Sequence, residues 1–474
     1  MKRFISILLV LSALISLASC SDKKDNTPAP AETKFVSRYA DLTESDVEAV
    51  LQTDHFTVSV SMFNYYYTCV LRNYIKNCGD SVPFDTSKPL REQIYDTEQN
   101  ASWFDYMAYQ TSETVKIKLY LAEAAFEEGM ILEDKDYEPI DKEIANIEAT
   151  AKGEGISTLM KIKTYYGEKV DEAAMRKALE INALGGKYNT EVLDDKYNFS
   201  DESYNNYFEE NKNYVLAFNY VSYQIPKDAE DTEAVLAEFK AAKDHDEFVE
   251  IIKKHIFSHF PKVNEENLED AIDALHVNGQ YYSDKSEFAK WAYSDERNVY
   301  DVYSEVSDTG VTRIAMLMPG DGEAYTDVLY KDITPLHNIS AVFLSEEQFA
   351  ETGGAMVMAE SVYKLAQGNT EFSTICTMYG GGNTSNIIRG STPPAVEKWV
   401  FDEAREDGEI GIVEDKGFGV YVIKMRGDGM EAWKYRCATT MANKTYSDDI
   451  KAFEEKYTVK ENATAAYKIS EISI

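Results

Sequence analysis

Two stretches of this chain repeat one another, and the repeat limits the fold more than any other feature. "KWAYSDER" (Lys290 to Arg297) and "KWVFDEAR" (Lys398 to Arg405) both open on Lys-Trp, carry an aromatic two residues after the Trp, and carry Arg six residues after it. Further on, "VSDTGVTRIAMLM" and "VEDKGFGVYVIKM" run in parallel with a slip of about one residue, each a turn leading into an apolar strand-like run. Each round begins with such a run ("VLAFNYVSYQI", then "NISAVFLS") and continues through helical periodicity ("DTEAVLAEFKAAKDHDEFVEIIKKHI", then "MVMAESVYKLAQG"). A chain that repeats at this length folds as two units of the same kind. The expectation is two tandem α+β modules, 213–320 and 337–427.

The segment before the repeat reads differently. Over 37–212, "TESDVEAVLQ", "VSMFNYYYTCVLRNYIKNC", "WFDYMAYQTSETVKIKLYLAEAAFEEGM" and "DEAAMRKALEINALGGKY" show helical spacing, and several stretches end at Gly. No strand pattern precedes residue 213, so an α-helical domain is expected. Residues 428–474 read as helix and a short strand.

The first nineteen residues form a signal: Lys2 and Arg3, an apolar run from Ile5 to Leu17 too short to span a bilayer, then Leu17-Ala18-Ser19-Cys20. That ending resembles the bacterial lipobox, in which the chain is cut before Cys and the thiol takes a lipid. Cys20 is the expected lipidation site, and polar, Pro-containing residues 20–36 are a tether. This places the protein outside the cytoplasm, anchored to the cell membrane.

Charge excludes other roles. Asp and Glu total 83 against 48 Lys and Arg, a formal charge of −35. A nucleic-acid partner would need a basic surface, so none is expected. The remaining cysteines (Cys69, Cys78, Cys376, Cys437) show no CxxC and no zinc spacing, so neither metal nor other cofactor is expected. Cys69 and Cys78 lie too far apart on one helix to bridge.

The second module resembles the parvulin-type peptidyl-prolyl cis-trans isomerase family over 337–427. The likeness is carried by Ser340-Ala341-Val342-Phe343-Leu344 as first strand and by the turn Gly381-Gly382-Asn383-Thr384-Ser385 followed by Arg389-Gly390-Ser391-Thr392. It continues in the helix Val396-Glu397-Lys398-Trp399-Val400-Phe401 and the last strand Gly419-Val420-Tyr421-Val422-Ile423. The helical region, the tandem modules and the lipobox together resemble extracytoplasmic foldase lipoproteins of PrsA-like and SurA-like architecture. The resemblance implies a SurA/trigger-factor-like chaperone domain followed by two parvulin-like modules, each a small antiparallel sheet flanked by helices. It also implies unfolded or partly folded exported proteins as partners and leaves a homodimer open.

Carried over by position, the family's two histidines fall at Ala341 and Tyr421, and its Cys or Asp falls at Ile375 or Cys376. Its apolar pocket falls at Thr384, Thr392 and Val396, with Asn383 and Phe401 alongside. In the first module the histidine positions fall at Asn219 and Thr312, and Asp284 and Phe288 stand at pocket positions. A Thr-lined pocket without imidazoles predicts weak or lost isomerase activity. An isomerase with an altered site and, from another class, a solute-binding lipoprotein are the rival functions. His255 and His259, at i and i+4, lack a neighbouring acidic ligand in sequence and read as plain helix. His276 reads as a surface residue.

Overall fold

The structure is a computed structural model and describes residues 35–472, apart from 295, 351, 352, 403 and 417. Cys20, the signal and nearly all of the tether lie outside the described residues. The chain divides into two units: residues 1–198 with 442–474, and residues 199–441. The first boundary falls at 198, upstream of the expected 212. Residues 428–441 belong to the second unit, and only 442 onward joins the first.

The first unit is mainly helical, and its helices start and stop where local chemistry dictates. Ser59 caps Val60–Cys78 by accepting from the Met62 amide. Ser102 and Asp105 close a capping box on Trp103–Glu127. Asp171 caps Glu172–Tyr188, and Gly155, at φ 71°, ends Asp134–Glu154 in the left-handed conformation. Phe63, Tyr67, Phe104, Leu119 and Leu184 are fully buried between these helices. The run Asn64 to Tyr67 is therefore core, and the Tyr66 hydroxyl donates to the Ala178 carbonyl at 2.7 Å.

Two expectations for this unit are corrected. "TESDVEAVLQ" is not a helix: Ala49–Gln52 is a strand, paired antiparallel with Thr57–Ser59 and with Lys460–Glu461. A two-stranded hairpin, Ile94–Asp96 with Ala101–Ser102, adds a second small sheet. Strands of two to four residues are too short to show alternation, and tertiary pairing overrides the helical propensity around Glu44 to Glu48.

The second unit contains two sheets built in the same way. In its first half, strand β1 (Ala217–Ile225) leads through helices α1 (Thr232–Ala241), α2 (His245–His259) and α3 (Leu268–Asp273) to β2 (His276–Tyr281). Helix α4 (Glu287–Ala292) and the hairpin β3 (Val302–Val306) and β4 (Thr312–Met318) follow. In the second half, β5 (Pro335–Ser345) leads through α5 (Glu346–Phe349), α6 (Ala355–Gln367) and α7 (Phe372–Tyr379) to β6 (Gly382–Ile387). Then come α8 (Pro394–Val400), β7 (Ile410–Asp415) and β8 (Gly419–Glu431). Both sheets are antiparallel, and the common strand order is second, first, fourth, third: β2-β1-β4-β3 and β6-β5-β8-β7. The first sheet is extended by Tyr330–Lys331, which pairs with β1 at Ala217.

The repeated motif has a physical role in both halves. Arg297 lies 4.9 Å over the Trp291 ring, and Arg405 lies 4.8 Å over the Trp399 ring. Each Arg also reaches an acid four residues on, Asp301 and Glu409. The six-residue spacing thus folds the chain back after the short helix and sets the course into the hairpin. Both Trp rings are only half-buried.

Candidate functional site

In the second half of this unit, the sheet separates two clusters. Val342, Leu344, Val420 and Val422 face α6 and α7. Ile339, Ile387, Val413, Ile423 and Met425 face Val396 and Val400 of α8, with Ala341, Trp399, Phe401 and Tyr421 at the margin. This alternation along β5 and β8 follows from the two-residue period of a strand. Gly381 is required where the chain enters β6: a Cβ there would fall 2.4 Å from the Ala341 carbonyl oxygen.

Of the residues expected to form the site, Ala341, Val396, Phe401 and Tyr421 share the α8 face. Cys376 does not. It is buried on α7 among Phe372, Ile375 and Val342, behind the sheet. Its sulfur lies 3.9 Å from the Ala341 carbonyl oxygen, and burial raises its pKa, so the group is a neutral thiol. Asn383 and Thr384 are exposed on β6, and Asn383 accepts from the Ser340 hydroxyl at 2.6 Å. The Thr392 hydroxyl is shut off from water without a hydrogen-bond partner.

Two neighbours of the site were not evident from sequence. Phe343 stands opposite Tyr421 in the β5–β8 register, their rings 4.6 Å apart, and it also lies over Gly419. Burial, with a smaller contribution from Asp415, raises the Tyr421 pKa, which keeps the phenol neutral. Phe401 is held between Arg389, 4.4 Å over its ring, and His337 at 5.1 Å. His337, the single imidazole of this half, bonds Asp428 at 3.1 Å. It lies six residues along β5 from Phe343, about 20 Å of strand. The face therefore carries a tilted aromatic pair, Phe343 and Tyr421, and the acid that acts on the Tyr421 phenol is Asp415.

Among the described residues, the first half does not bring its expected site positions together. Asn219 pairs with Met318 and Ile225 with Thr312, so Asn219 and Thr312 sit at opposite ends of β1–β4 and cannot cooperate. Asn219 instead holds the chain together. Its Oδ1 accepts from the Gly279 amide (2.9 Å) and the Tyr330 hydroxyl (2.7 Å), and its Nδ2 donates to the Pro319 carbonyl and the Asp321 carboxylate (both 3.0 Å). Phe288 is packed among Phe218, Tyr220, Trp291 and Tyr303, which fills the space on the α4 face. Asp284 is exposed.

His255 and His259 do have acidic partners, supplied by α1 and its cap. Glu238 lies 3.1 Å from His255, and Asp231 lies 3.1 Å from His259. His276 is half-buried, not superficial, at the start of β2. The four cysteines Cys69, Cys78, Cys376 and Cys437 are free thiols. Among the described residues, no helix is long and apolar enough to cross a membrane.

No family model matches the sequence, and no curated protein matches it. Among solved structures, the foldase protein PrsA from Streptococcus pneumoniae str. Canada MDR_19A aligns at 14% identity and a TM-score of 0.21, over 58% of this chain and 92% of that one. The foldase protein PrsA from Lactococcus lactis aligns at 12% identity and a TM-score of 0.19, over 75% of this chain and 99% of that one. At TM-scores of this size the likeness carries no argument about function.

Proposed function

We propose that the protein is a membrane-anchored extracytoplasmic folding factor that holds unfolded or partly folded exported proteins, with weak or absent prolyl isomerase activity. The reading rests on the parvulin-like residues of 337–427 and the lipobox-like ending at Cys20. It is carried by one observation: the tilted Phe343–Tyr421 aromatic pair, with Tyr421 at a position where an isomerase of this type would place an imidazole.

Prolyl isomerisation must overcome a barrier of ~18–20 kcal/mol, and each ~1.4 kcal/mol of transition-state binding is worth tenfold in rate. Here a neutral phenol, a thiol behind the sheet and an unpartnered Thr392 hydroxyl supply little such binding. Phe343 and Phe418, 40% and 70% exposed, offer apolar surface for brief capture of a client segment.

The full chain is tested in two assays. Suppression of aggregation of an unfolded client is expected, together with turnover of an Xaa-Pro peptide at the uncatalysed rate. Turnover near that of an intact parvulin, abolished by Tyr421→Phe, would show a working rearranged site. Failure to suppress aggregation would remove the holding function.

A further inference from the structure

In the first unit, helix Val60–Cys78 and the turn Leu90–Glu92 border a groove that holds residues 467–472, and it holds them largely by their main chain. Asn64, fully buried, reads both sides of Ser470. Its Oδ1 accepts from the Ser470 amide at 2.9 Å, and its Nδ2 donates to the Ser470 carbonyl at 3.0 Å. Arg91, whose guanidinium lies 3.5 Å over the Phe104 ring, donates to the carbonyls of Tyr467 and Ile469 at 3.0 and 3.1 Å. Gly167, at φ 109°, leaves room for the segment: a Cβ there would fall 2.6 Å from the Ser470 hydroxyl. Residues 469–472 are in neither helix nor strand, so these side chains satisfy main-chain groups that secondary structure would otherwise satisfy.

The segment's own identity enters chiefly at two positions. Ile469 is buried in the apolar core, and Glu471 takes an ion pair from Arg91 at 2.9 Å and a hydrogen bond from the Leu90 amide at 2.6 Å. The match is incomplete. The Tyr67 hydroxyl is shut off from water and has no hydrogen-bond partner among the described residues, although Glu471 and Arg91 are its charged neighbours. A ligand that accepts from it gains roughly tenfold in affinity over the segment now bound. We propose that this groove is a peptide-binding site, filled here in cis. Its ligand in trans is an extended segment of an unfolded exported protein, with an aliphatic residue followed two positions on by an acid. The assignment rests on the holding function proposed above and names the segments that function selects. An unfolded chain exposes what the groove reads, unpaired main-chain N–H and C=O groups beside an apolar side chain. Residues 467–472 compete for the groove and weaken the apparent affinity for a client in proportion to the fraction of grooves they fill.

The full chain is given a fluorescent peptide of the sequence 467–472, Tyr-Lys-Ile-Ser-Glu-Ile, and anisotropy reads its binding with no client present. Ser470→Pro removes the N–H that Asn64 accepts from, and Glu471→Lys sets a cation against Arg91. Either change should free the groove and tighten peptide binding at least about tenfold. The same Pro placed in the peptide, or Arg91→Gln added to the freed chain, should weaken binding by a similar factor. Both freed variants should hold an aggregating client at lower concentration than the unaltered chain does, and excess peptide should cancel the gain. Unchanged peptide binding in both freed variants, or tighter peptide binding with no gain in holding, would overturn the proposal. So would a dimer of the unaltered chain that Ser470→Pro dissolves, which would give the groove to a second copy's segment. Failure of the unaltered chain to hold any client removes the function proposed above, whereas loss of peptide binding removes this site.

Discussion

Replacing Asn219 tests whether a position expected to be a catalytic remnant is in fact structural. The side chain is 2% exposed, and so is Tyr330, whose hydroxyl donates to it. Asn219→Ala leaves that hydroxyl and the Gly279 amide without an acceptor. At about 1–3 kcal/mol for each buried group left unpaired, the expected loss is about 2–6 kcal/mol. The Nδ2 partners, Pro319 and Asp321, are exposed and can turn to water, so they add little. The near-isostere Asn219→Asp separates the two halves of the network. It keeps the acceptor but sets a second carboxylate against Asp321, where Nδ2 now stands at 3.0 Å. Burial and the neighbouring charge both raise the pKa of the introduced carboxyl above its unfolded value. Stability of that variant is therefore present at low pH and is lost as pH rises through the raised pKa. Denaturant unfolding of the full chain in a Trp103→Phe background follows the second unit alone, because Trp291, Trp399 and Trp433 all lie in it. A loss below about 1 kcal/mol for Asn219→Ala, within the range of one ordinary exposed hydrogen bond, would refute the reasoning.

Other outcomes follow from single contacts. A Cβ on Gly411 would fall 2.5 Å from the Trp399 ring, so Gly411→Ala should cost ~1–3 kcal/mol by overpacking, relieved in part by Trp399→Leu, as a double-mutant cycle measures. Thr392→Val removes a buried hydroxyl that has no partner and should stabilise the second unit by about 1 kcal/mol; a loss of similar size would reveal a partner for that hydroxyl. Desolvation opposes charge on Glu461, but hydrogen bonds from Lys116 and Ser112 outweigh it and lower its pKa. Its stabilising contribution is therefore present above the usual carboxyl range and lost as pH falls through the lowered value, and Glu461→Gln should flatten that acid limb of the first unit's stability. Mass spectrometry of the mature N-terminal peptide should find lipid on Cys20, and an unmodified Cys20 would remove the anchor.

The repeat was legible because its determinants are local: a Trp, an Arg six residues on and a tight hairpin fold onto each other within one stretch. Asn219 was opaque for the opposite reason. Its partners lie 60 to 111 residues away, and nothing near it in sequence announces them. Cys376 illustrates a different limit. Helical periodicity places it on an inward face of α7 but cannot say on which side of the sheet that helix packs. The acids beside His255 and His259 come from another helix and its cap, so a search for ligands along α2 alone misses Asp231 and Glu238. The strands around Ala49 were hidden by their brevity.

The two units differ in how the chain is threaded through them, and this sets an order of assembly. Residues 199–441 are continuous, so all of that unit's own residues are present once Met441 has emerged. The first unit is split. Its strand Ala49–Gln52 pairs with Lys460–Glu461, and Asn64 bonds the backbone of Ser470. A chain delivered N-terminus first therefore starts this unit earliest and completes it last. Until the final residues arrive, the strand edge at Ala49–Gln52 and the helix face around Asn64 stay open and must be kept from other chains.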